Sequence, residues 1–311
     1  MEPHPYYQAI LDAYAAAGRP AYHESTPEEA RAMLRATMAA APAPTGLPEM
    51  ESVVDCQIDG PNGAIALRIY TPVERRAGVC VYFHAGGWVI GDLDFSDATC
   101  RRLSAAAGCV LVSVDYRLAP EHPYPQPLDD AFTALEWAAA QYPGRIVVAG
   151  ESAGGNLAAA CAIRAKALGG PAIAGQWMAY PVTDHACDTA SHQDLGERNL
   201  LLSTPDMKWF WNHYCPPGID RAVPELSPLR VSDPSGLPSA MIVVAQLDPL
   251  RDEGLAYAAR LAAAGVAVTT RCDPGVVHGY LGAAAAIPAA AQAVSESGRW
   301  IRARLDGEGL N

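Results

Sequence analysis

The chain has 311 residues, 50% of them hydrophobic, enough to bury a large core in one elaborate domain or two smaller ones. Its 22 lysines and arginines face 34 aspartates and glutamates, which gives a formal net charge of -12 at pH 7. Because this charge repels phosphate backbones and anionic lipid surfaces, we expect neither nucleic-acid binding nor membrane binding.

The amino terminus, MEPHPYYQAILDAYAAAGRP, has acidic residues and lacks both the basic start and the apolar run of a secretory signal. The most apolar stretch, AAAAIPAAAQAV, is interrupted and falls short of the ~18 residues of a membrane helix. The 8 cysteines form no C-x-x-C pair, so the sequence predicts reduced thiols rather than disulfides or a zinc site. Together these features predict a cytoplasmic protein.

Apolar strand patterns alternate with helical patterns from about residue 51 onward. The predicted strands are, in chain order, SVVDCQID, AIALRIYTP, GVCVYFHA, CVLVSVDY, RIVVAG, AIAGQWMAYP, SAMIVVAQ and VAVTTRC. The predicted helices cover residues 95–107, 127–141, 152–169, 252–264 and 287–305. This alternation predicts an α/β fold with a mostly parallel, doubly wound sheet, in which the chemistry gathers at the carboxyl ends of strands.

Two segments depart from the alternation. Residues 1–48 hold two helical stretches and a proline-rich run, and residues 183–235 hold polar loops around the helical pattern TPDMKWFWNHYC. We interpret residues 1–48 as the N-terminal part of a helical cap. Residues 49–311 then form the catalytic domain, into which residues 183–235 insert the rest of the cap.

The stretch RIVVAGESAGG runs from an apolar strand directly into a helix, and it contains the pattern G-x-S-x-G. Gly150 and Gly154 leave room for a sharp turn that would expose the hydroxyl of Ser152 as a nucleophile. The alternative is a serine that only caps the following helix.

A nucleophilic serine needs a general base, and the base needs an acid that orients it. His278 follows the last predicted strand across a DPG turn, and Asp248 closely follows the strand before it. Asp252 competes with Asp248, but its position predicts the N-cap of a helix. His122 lies in the proline-rich stretch APEHPYPQP, which predicts a loop-fixing role for it.

Backbone amides must also receive the negative charge of a tetrahedral intermediate. The loop HAGGWVIGD follows a strand, and the amides of Gly86 and Gly87 could approach a reacting oxygen closely. The amide of Ala153, next to the nucleophile, would add a third donor. The alternative is an ordinary turn at the end of a strand.

Five motifs, HAGGW, DYRLAPEHPYPQPLDD, GESAGGNLA, LDPLRDEG and VVHGY, occur in this order. With them, residues 50 to 305 resemble the bacterial hormone-sensitive-lipase-like (family IV) esterases of the α/β-hydrolase superfamily. The resemblance implies an eight-stranded sheet with a helical cap, a serine carboxylesterase activity on short- to medium-chain acyl esters through an acyl-enzyme, and no metal or organic cofactor. By motif position it makes Ser152, Asp248 and His278 the catalytic residues, and Gly86, Gly87 and Ala153 the oxyanion hole.

The chain departs from the family pattern at two places. Ala85 replaces the first glycine of the usual H-G-G-G, and because alanine disfavours positive φ the loop is expected to sit differently. Glu151 replaces the aspartate that is common beside the nucleophile, and it keeps the charge. The resemblance assigns a loop-holding role to His84 and a bracing role to residues 116–121.

Several apolar side chains are candidates for lining the acyl pocket. They are Trp88, Tyr180, Met207, Trp209, Phe210 and Trp211. The alternative is that they only pack the cap on the core.

Two rival functions remain open. The gibberellin receptors resemble this family and lack the catalytic histidine, so the presence of His278 argues against a pure binding role. A peptidase or amidase is not excluded by the sequence. We expect a small-molecule ester as partner, and an exposed edge strand near the end of the sheet could pair two copies into a homodimer.

Overall fold

A central β-sheet organises the chain, and the computed structural model describes residues 2–198 and 200–308. The strands are β1 (Met50–Ile58), β2 (Ile65–Pro72), β3 (Val79–Phe83), β4 (Val110–Asp115), β5 (Ile146–Glu151), β6 (Ile173–Ala179), β7 (Ser239–Leu247) and β8 (Val268–Val277). They lie in the order β1-β2-β4-β3-β5-β6-β7-β8. β2 runs antiparallel to both of its neighbours, whereas every pair from β4 across to β8 is parallel.

Helices cover both faces of this sheet. They are α1 (Pro5–Ala16), α2 (Pro27–Ala40), α3 (Asp97–Ala107), α4 (Gln126–Gln141), α5 (Ala153–Leu168), α6 (Ala190–Leu195), α7 (Thr204–Tyr214), α8 (Arg251–Ala263) and α9 (Pro288–Asp306). α4, α5 and α8 pack on one face through Leu135, Leu157 and Leu261. α3 and α9 pack on the other through Leu103 and Ile301. This arrangement confirms the predicted α/β-hydrolase fold.

Strand β3 shows why the central strands are apolar throughout. Val79, Val81 and Phe83 belong to the core on one face, and Cys80 and Tyr82 belong to the core on the other. Successive side chains of a strand point to opposite faces, so a strand covered on both sides needs an unbroken apolar run.

The eighth strand extends beyond its predicted end at Cys272. The DPG sequence that predicted a turn lies inside β8, where the pairing with β7 shifts register between Ala245 and Leu247. Gly275 takes a φ of 69° within this irregularity, and the strand continues to Val277. His278 therefore follows β8 directly.

The two segments predicted to form a cap contact each other and the end of the sheet. The backbone amide of His23 donates to the carboxylate of Asp206 on α7 over 3.0 Å, and the ring of Tyr22 lies 5.5 Å from that of Phe210. The buried Tyr7 of α1 donates its hydroxyl to the carbonyl of Tyr280 over 3.3 Å. Both segments thus meet beside the strand ends; their interpretation as one cap stays a prediction.

Within the described ranges, none of the helices has the length and apolar character that crossing a bilayer requires. All eight cysteines have free thiols, and six of these residues are buried.

The contact between α3 and α9 depends on a glycine, which gives a stability prediction. A Cβ on Gly298 would lie 2.3 Å from the Cβ of Ala106 and 2.7 Å from its carbonyl carbon. We expect Gly298→Ala to lower the free energy of unfolding by about 2 kcal/mol, because overpacking outweighs the ~1 kcal/mol by which alanine favours a helix. Urea unfolding measures this change.

The matched control is Gly254→Ala, another glycine within a helix. Its new Cβ would lie 3.2 Å from a methyl group of Val244, a contact that a small shift of that side chain relieves. We expect it to stay within about 1 kcal/mol of the wild type. Equal stability of the two variants would contradict the prediction.

Candidate active site

Ser152 lies at the corner between β5 and α5 in a strained backbone conformation, with φ 55° and ψ -118°. Its amide donates to the carbonyl of Ala179 over 2.9 Å, and its own carbonyl accepts from the amide of Asn156 over 3.0 Å. Such strain persists only where the surrounding structure imposes it. The Ser152 side chain makes no capping hydrogen bond to α5, so the helix-capping alternative does not describe it.

The glycines around Ser152 are required for close packing. A Cβ on Gly150 would lie 2.2 Å from the carbonyl oxygen of Gly154, and a Cβ on Gly154 would lie 2.0 Å from that of Phe83. Neither glycine has positive φ, since the left-handed residue of the turn is Ser152 itself. The pattern therefore lets β3, β5 and the start of α5 approach each other while the chain bends at the serine.

His278 connects Ser152 to Asp248. Its Nε2 lies 2.9 Å from the Ser152 hydroxyl oxygen, and its Nδ1 lies 2.8 Å from Oδ2 of Asp248. Asp248 is fully buried and also accepts a hydrogen bond from the amide of Leu250 over 2.9 Å. Since a carboxylate accepts from Nδ1–H, Nε2 is left as the acceptor that faces the serine hydroxyl.

The competing carboxylate, Asp252, serves a different contact. It accepts from the amide of Ser191 over 2.8 Å and from Arg251 over 2.8 Å. The prediction that Asp252 is an N-cap is wrong: α8 begins at Arg251, so Leu250 holds that position and Asp252 lies in the first turn. Its carboxylate joins α8 to the start of α6.

The loop after β3, residues 84–91, which we call the glycine loop, lies beside Ser152. Gly86 and Gly87 take φ values of 122° and 57°, and the carbonyl of Gly86 accepts from the amide of Ile90 over 2.9 Å. Ala85 has no positive φ, so the alanine causes none of the backbone strain expected of it. Ala153 is the first residue of α5, where an amide has no acceptor within the helix.

His84 holds one end of this loop. Its ring is fully buried and stacks on Tyr116 at 4.1 Å, and its Nδ1 donates to the carbonyl of Ala85 over 2.7 Å. Tyr116 in turn donates its hydroxyl to the carbonyl of His84 over 2.8 Å. Burial lowers the pKa of His84 to about 4, so the ring is neutral at pH 7.

A buried carboxyl group lies beneath the serine. Glu151 accepts hydrogen bonds from the hydroxyls of Tyr82, over 2.7 Å, and Tyr180. Burial raises the pKa of Glu151 above the ordinary glutamate value, against the opposing effect of the two tyrosine donors. The ring of Tyr180 meets that of His278 edge-on at 4.9 Å, which connects the carboxyl group to the histidine.

A cavity of about 700 Å³ opens over these groups. Its wall includes Ser152, His278, Gly86, Gly87 and, from α7, Met207 and Phe210. Residues of the N-terminal segment complete the wall. They include Leu11, Tyr14, Arg19 and Leu34, which the sequence analysis did not single out. The helical pattern of residues 1–48 gives no signal of which side chains face a ligand.

Four residues predicted to line the acyl pocket lie outside the wall of this cavity. Trp88 is fully buried and stacks on Tyr214 at 4.2 Å, and Trp211 packs against Trp88 at 4.8 Å. These rings fasten α7 to the glycine loop. Tyr180 lies under the site on Glu151, as described above. Trp209 is likewise outside the cavity wall, and a substrate-lining role for these four residues stays a prediction.

In the part of the chain that the structure describes, no group of three or more histidine, cysteine, aspartate or glutamate side chains is placed to hold a metal ion.

Comparison with known proteins identifies similar sequences. The sequence profile of the alpha/beta hydrolase fold matches residues 80–282. Esterase LipI of Mycobacterium tuberculosis is 42% identical over 275 residues, which cover 84% of each chain. The ethyl acetate hydrolase of Pseudomonas putida is 36% identical over 247 residues, which cover 75% of this chain and 77% of that enzyme.

A solved structure has the same fold as this chain. The crystal structure of a thermostable esterase from Pseudomonas putida superposes with a TM-score of 0.91 at 35% identity, covering 100% of this chain and 99% of that one.

The buried His84 predicts a loss of stability in acid. Its pKa is about 4 when folded and about 6.5 when unfolded, so between these values the unfolded chain binds more protons. Stability is therefore lost as pH falls through this window, and we expect His84 to contribute about 2 to 3 kcal/mol of the loss by pH 4.5. Urea unfolding of wild type and His84→Gln at pH 7 and pH 4.5 measures the contribution.

The control is His122→Gln, at a half-buried histidine that contacts Gln126. It should lose as much stability as the wild type over this interval, whereas His84→Gln should lose less. A loss in His84→Gln equal to that of the wild type would contradict the prediction.

Proposed function

The chain belongs to the hormone-sensitive-lipase-like branch of the α/β-hydrolase family and is a carboxylic ester hydrolase, and we propose that it cleaves short- to medium-chain esters through an acyl-enzyme on Ser152. The observation that carries this proposal is the position of the His278 ring, bonded to Ser152 on one side and to Asp248 on the other. This is the geometry that an activated serine requires.

In the proposed first step, Nε2 of His278 takes the proton of the Ser152 hydroxyl while its oxygen attacks the ester carbonyl carbon. The buried carboxylate of Asp248 stabilises the resulting imidazolium. The tetrahedral intermediate then expels the alcohol, which receives the proton from Nε2, and the acyl group stays on the serine. Water repeats the sequence with the same histidine as base and releases the acid.

The amides of Gly86, Gly87 and Ala153 are proposed to receive the negative charge of the carbonyl oxygen. The two glycines lie on the cavity wall beside Ser152, and Ala153 begins a helix whose amino end favours negative charge. Preorganised amides in a site that is shielded from water stabilise such an oxyanion strongly.

Phe210 supports a preference for short acyl chains. A Cβ on Gly87 would lie 2.1 Å from the ring of Phe210, so this ring packs directly on the proposed oxyanion hole. A rigid ring at that place limits the space next to the reacting carbonyl. The relative named as an ethyl acetate hydrolase agrees with a small acyl group.

Two further proposals concern the assembly of the protein and its division into domains. β8 forms an edge of the sheet, and its pairing with a second copy stays a prediction, as does the division into a catalytic domain with a cap from residues 1–48 and 183–235.

Hydrolysis of p-nitrophenyl esters from acetate to palmitate tests the proposal. We expect the rate to peak at short chains and Ser152→Ala to lower kcat by at least about 10³, because the nucleophile is lost while the binding site remains. Ser235→Ala, at an exposed loop position, is the control and should keep the wild-type rate. Folding of each variant is checked by circular dichroism, and a fully active Ser152→Ala protein would refute the assignment.

The same esters test the role of Phe210. Phe210→Ala enlarges the cavity beside Gly87, so we expect the preferred acyl chain to lengthen by about two to four carbons and kcat/KM for acetate to fall about tenfold. Lys208→Ala, an exposed position on the same helix, is the control and should keep the wild-type profile. An unchanged profile in Phe210→Ala would show that another residue limits the chain length.

A further inference from the structure

The glycine loop carries two of the proposed oxyanion donors. Three of its backbone carbonyls accept hydrogen bonds from residues outside the loop. Tyr116 donates to the carbonyl of His84 over 2.8 Å, and the amide of Ala119 donates to the carbonyl of Trp88 over 2.8 Å. The third of these carbonyls is that of Val89, which accepts from the guanidinium of Arg31 over 2.8 Å. Arg31 belongs to α2 and so comes from the N-terminal segment.

The guanidinium of Arg31 bridges the glycine loop and the loop after β4. Besides Val89, it donates to the carbonyl of Ala119 over 2.9 Å. It also forms a two-pronged ion pair with Glu121, at 2.8 Å and 2.6 Å. A planar guanidinium can reach these acceptors at once, whereas the single ammonium of lysine cannot reproduce the fork.

We propose that Arg31 is a positioning residue for the reaction, which sets the orientation of the Gly86 and Gly87 amides toward the substrate. This inference rests on the proposed function, in which these amides receive the oxyanion.

A short turn transmits the position of Val89 to the glycines. The amides of Val89 and Ile90 both donate to the carbonyl of Gly86, over 3.0 Å and 2.9 Å. Each peptide unit is rigid, so displacing the carbonyl of Val89 also displaces the turn that begins at Gly86. Because glycine has little conformational preference of its own, Gly86 and Gly87 need external contacts to keep one orientation.

The contacts to the carbonyls matter more than the ion pair itself. The side chain of Glu121 is 54% exposed, and an ion pair so open to water contributes little stability. The hydrogen bonds from Arg31 lower the pKa of Glu121 to about 2, so the carboxylate stays charged and keeps the guanidinium in place at neutral pH. Arg31 is 23% exposed, and its bonds to Val89 and Ala119 are the ones that fix the loop.

The test compares Arg31→Lys with the wild type on p-nitrophenyl butyrate and with two inhibitors. An alkyl boronic acid adds to a serine as a tetrahedral anion and reports on the oxyanion site, whereas a matched alkyl ether has no carbonyl and reports only on ground-state binding. We expect kcat to fall about tenfold and the boronic acid to bind about tenfold more weakly, with KM and the ether constant within twofold of wild type.

Two further variants keep the test decisive. Arg35→Lys, one turn along α2 and exposed, should match the wild type in every constant. Glu121→Gln removes the charge that holds the guanidinium but leaves the acceptors on Val89 and Ala119, so we expect a threefold fall in kcat with the same pattern. This variant decides the question if Arg31→Lys fails to fold.

An unchanged kcat in Arg31→Lys overturns the inference, and so does an equal weakening of the boronic acid and the ether, which would mean that Arg31 only docks the N-terminal segment. Failure of the proposed function looks different. A wild type that the boronic acid does not inhibit, or that keeps its activity after Ser152→Ala, would remove Ser152 and the oxyanion site from the reaction altogether.

Discussion

The close approach of strand β5 and helix α5 at Ser152 is the constraint on which the site depends. The backbone passes within contact distance of itself at Gly150 and Gly154, and the serine between them takes a left-handed conformation that hydrogen bonds to Ala179 and Asn156 maintain. The hydroxyl is thereby presented at the end of the sheet. Asp248 and His278 each follow their strands directly, so the parallel order of β5, β6, β7 and β8 brings the three side chains together.

The two buried acids around this corner are hydrogen-bonded in different ways. Asp248 is buried with two hydrogen-bond donors, the ring of His278 and the amide of Leu250. Glu151 is buried with two tyrosine hydroxyls, and burial favours its uncharged form. Asp248 thus bonds directly to Nδ1 of His278, whereas Glu151 bonds to Tyr180, whose ring contacts that of His278.

Local sequence predicted the strands that lead to the site, although β8 extends past its predicted end at Cys272 to Val277. The strand-turn-helix pattern identified Ser152, and chain order with the motifs pointed to Asp248 and His278, which the structure brings within hydrogen-bonding distance. Where each side chain lies in the folded protein was harder to predict. Trp88 and Trp211 are as apolar as pocket residues, and only the contacts of Trp88 with Tyr214 and Trp211 in the folded chain distinguish core from wall. Arg31 carries no local signal, because its acceptors are backbone carbonyls distant in sequence.

The contacts of the N-terminal segment also affect the order in which the chain folds during its synthesis. Tyr7 of α1 is synthesised early, yet its partner Tyr280 is added near the end of the chain. At about 5 to 20 residues per second, roughly 14 to 55 seconds separate the synthesis of Tyr7 from that of Tyr280. During that interval Tyr7 lacks its hydrogen-bond partner, whereas the acceptors of Arg31 on α2 are already present. The nascent chain therefore lacks the hydrogen bonds of His278 to Ser152 and Asp248 until β8 has emerged, and α1 is among the last elements to reach a native partner.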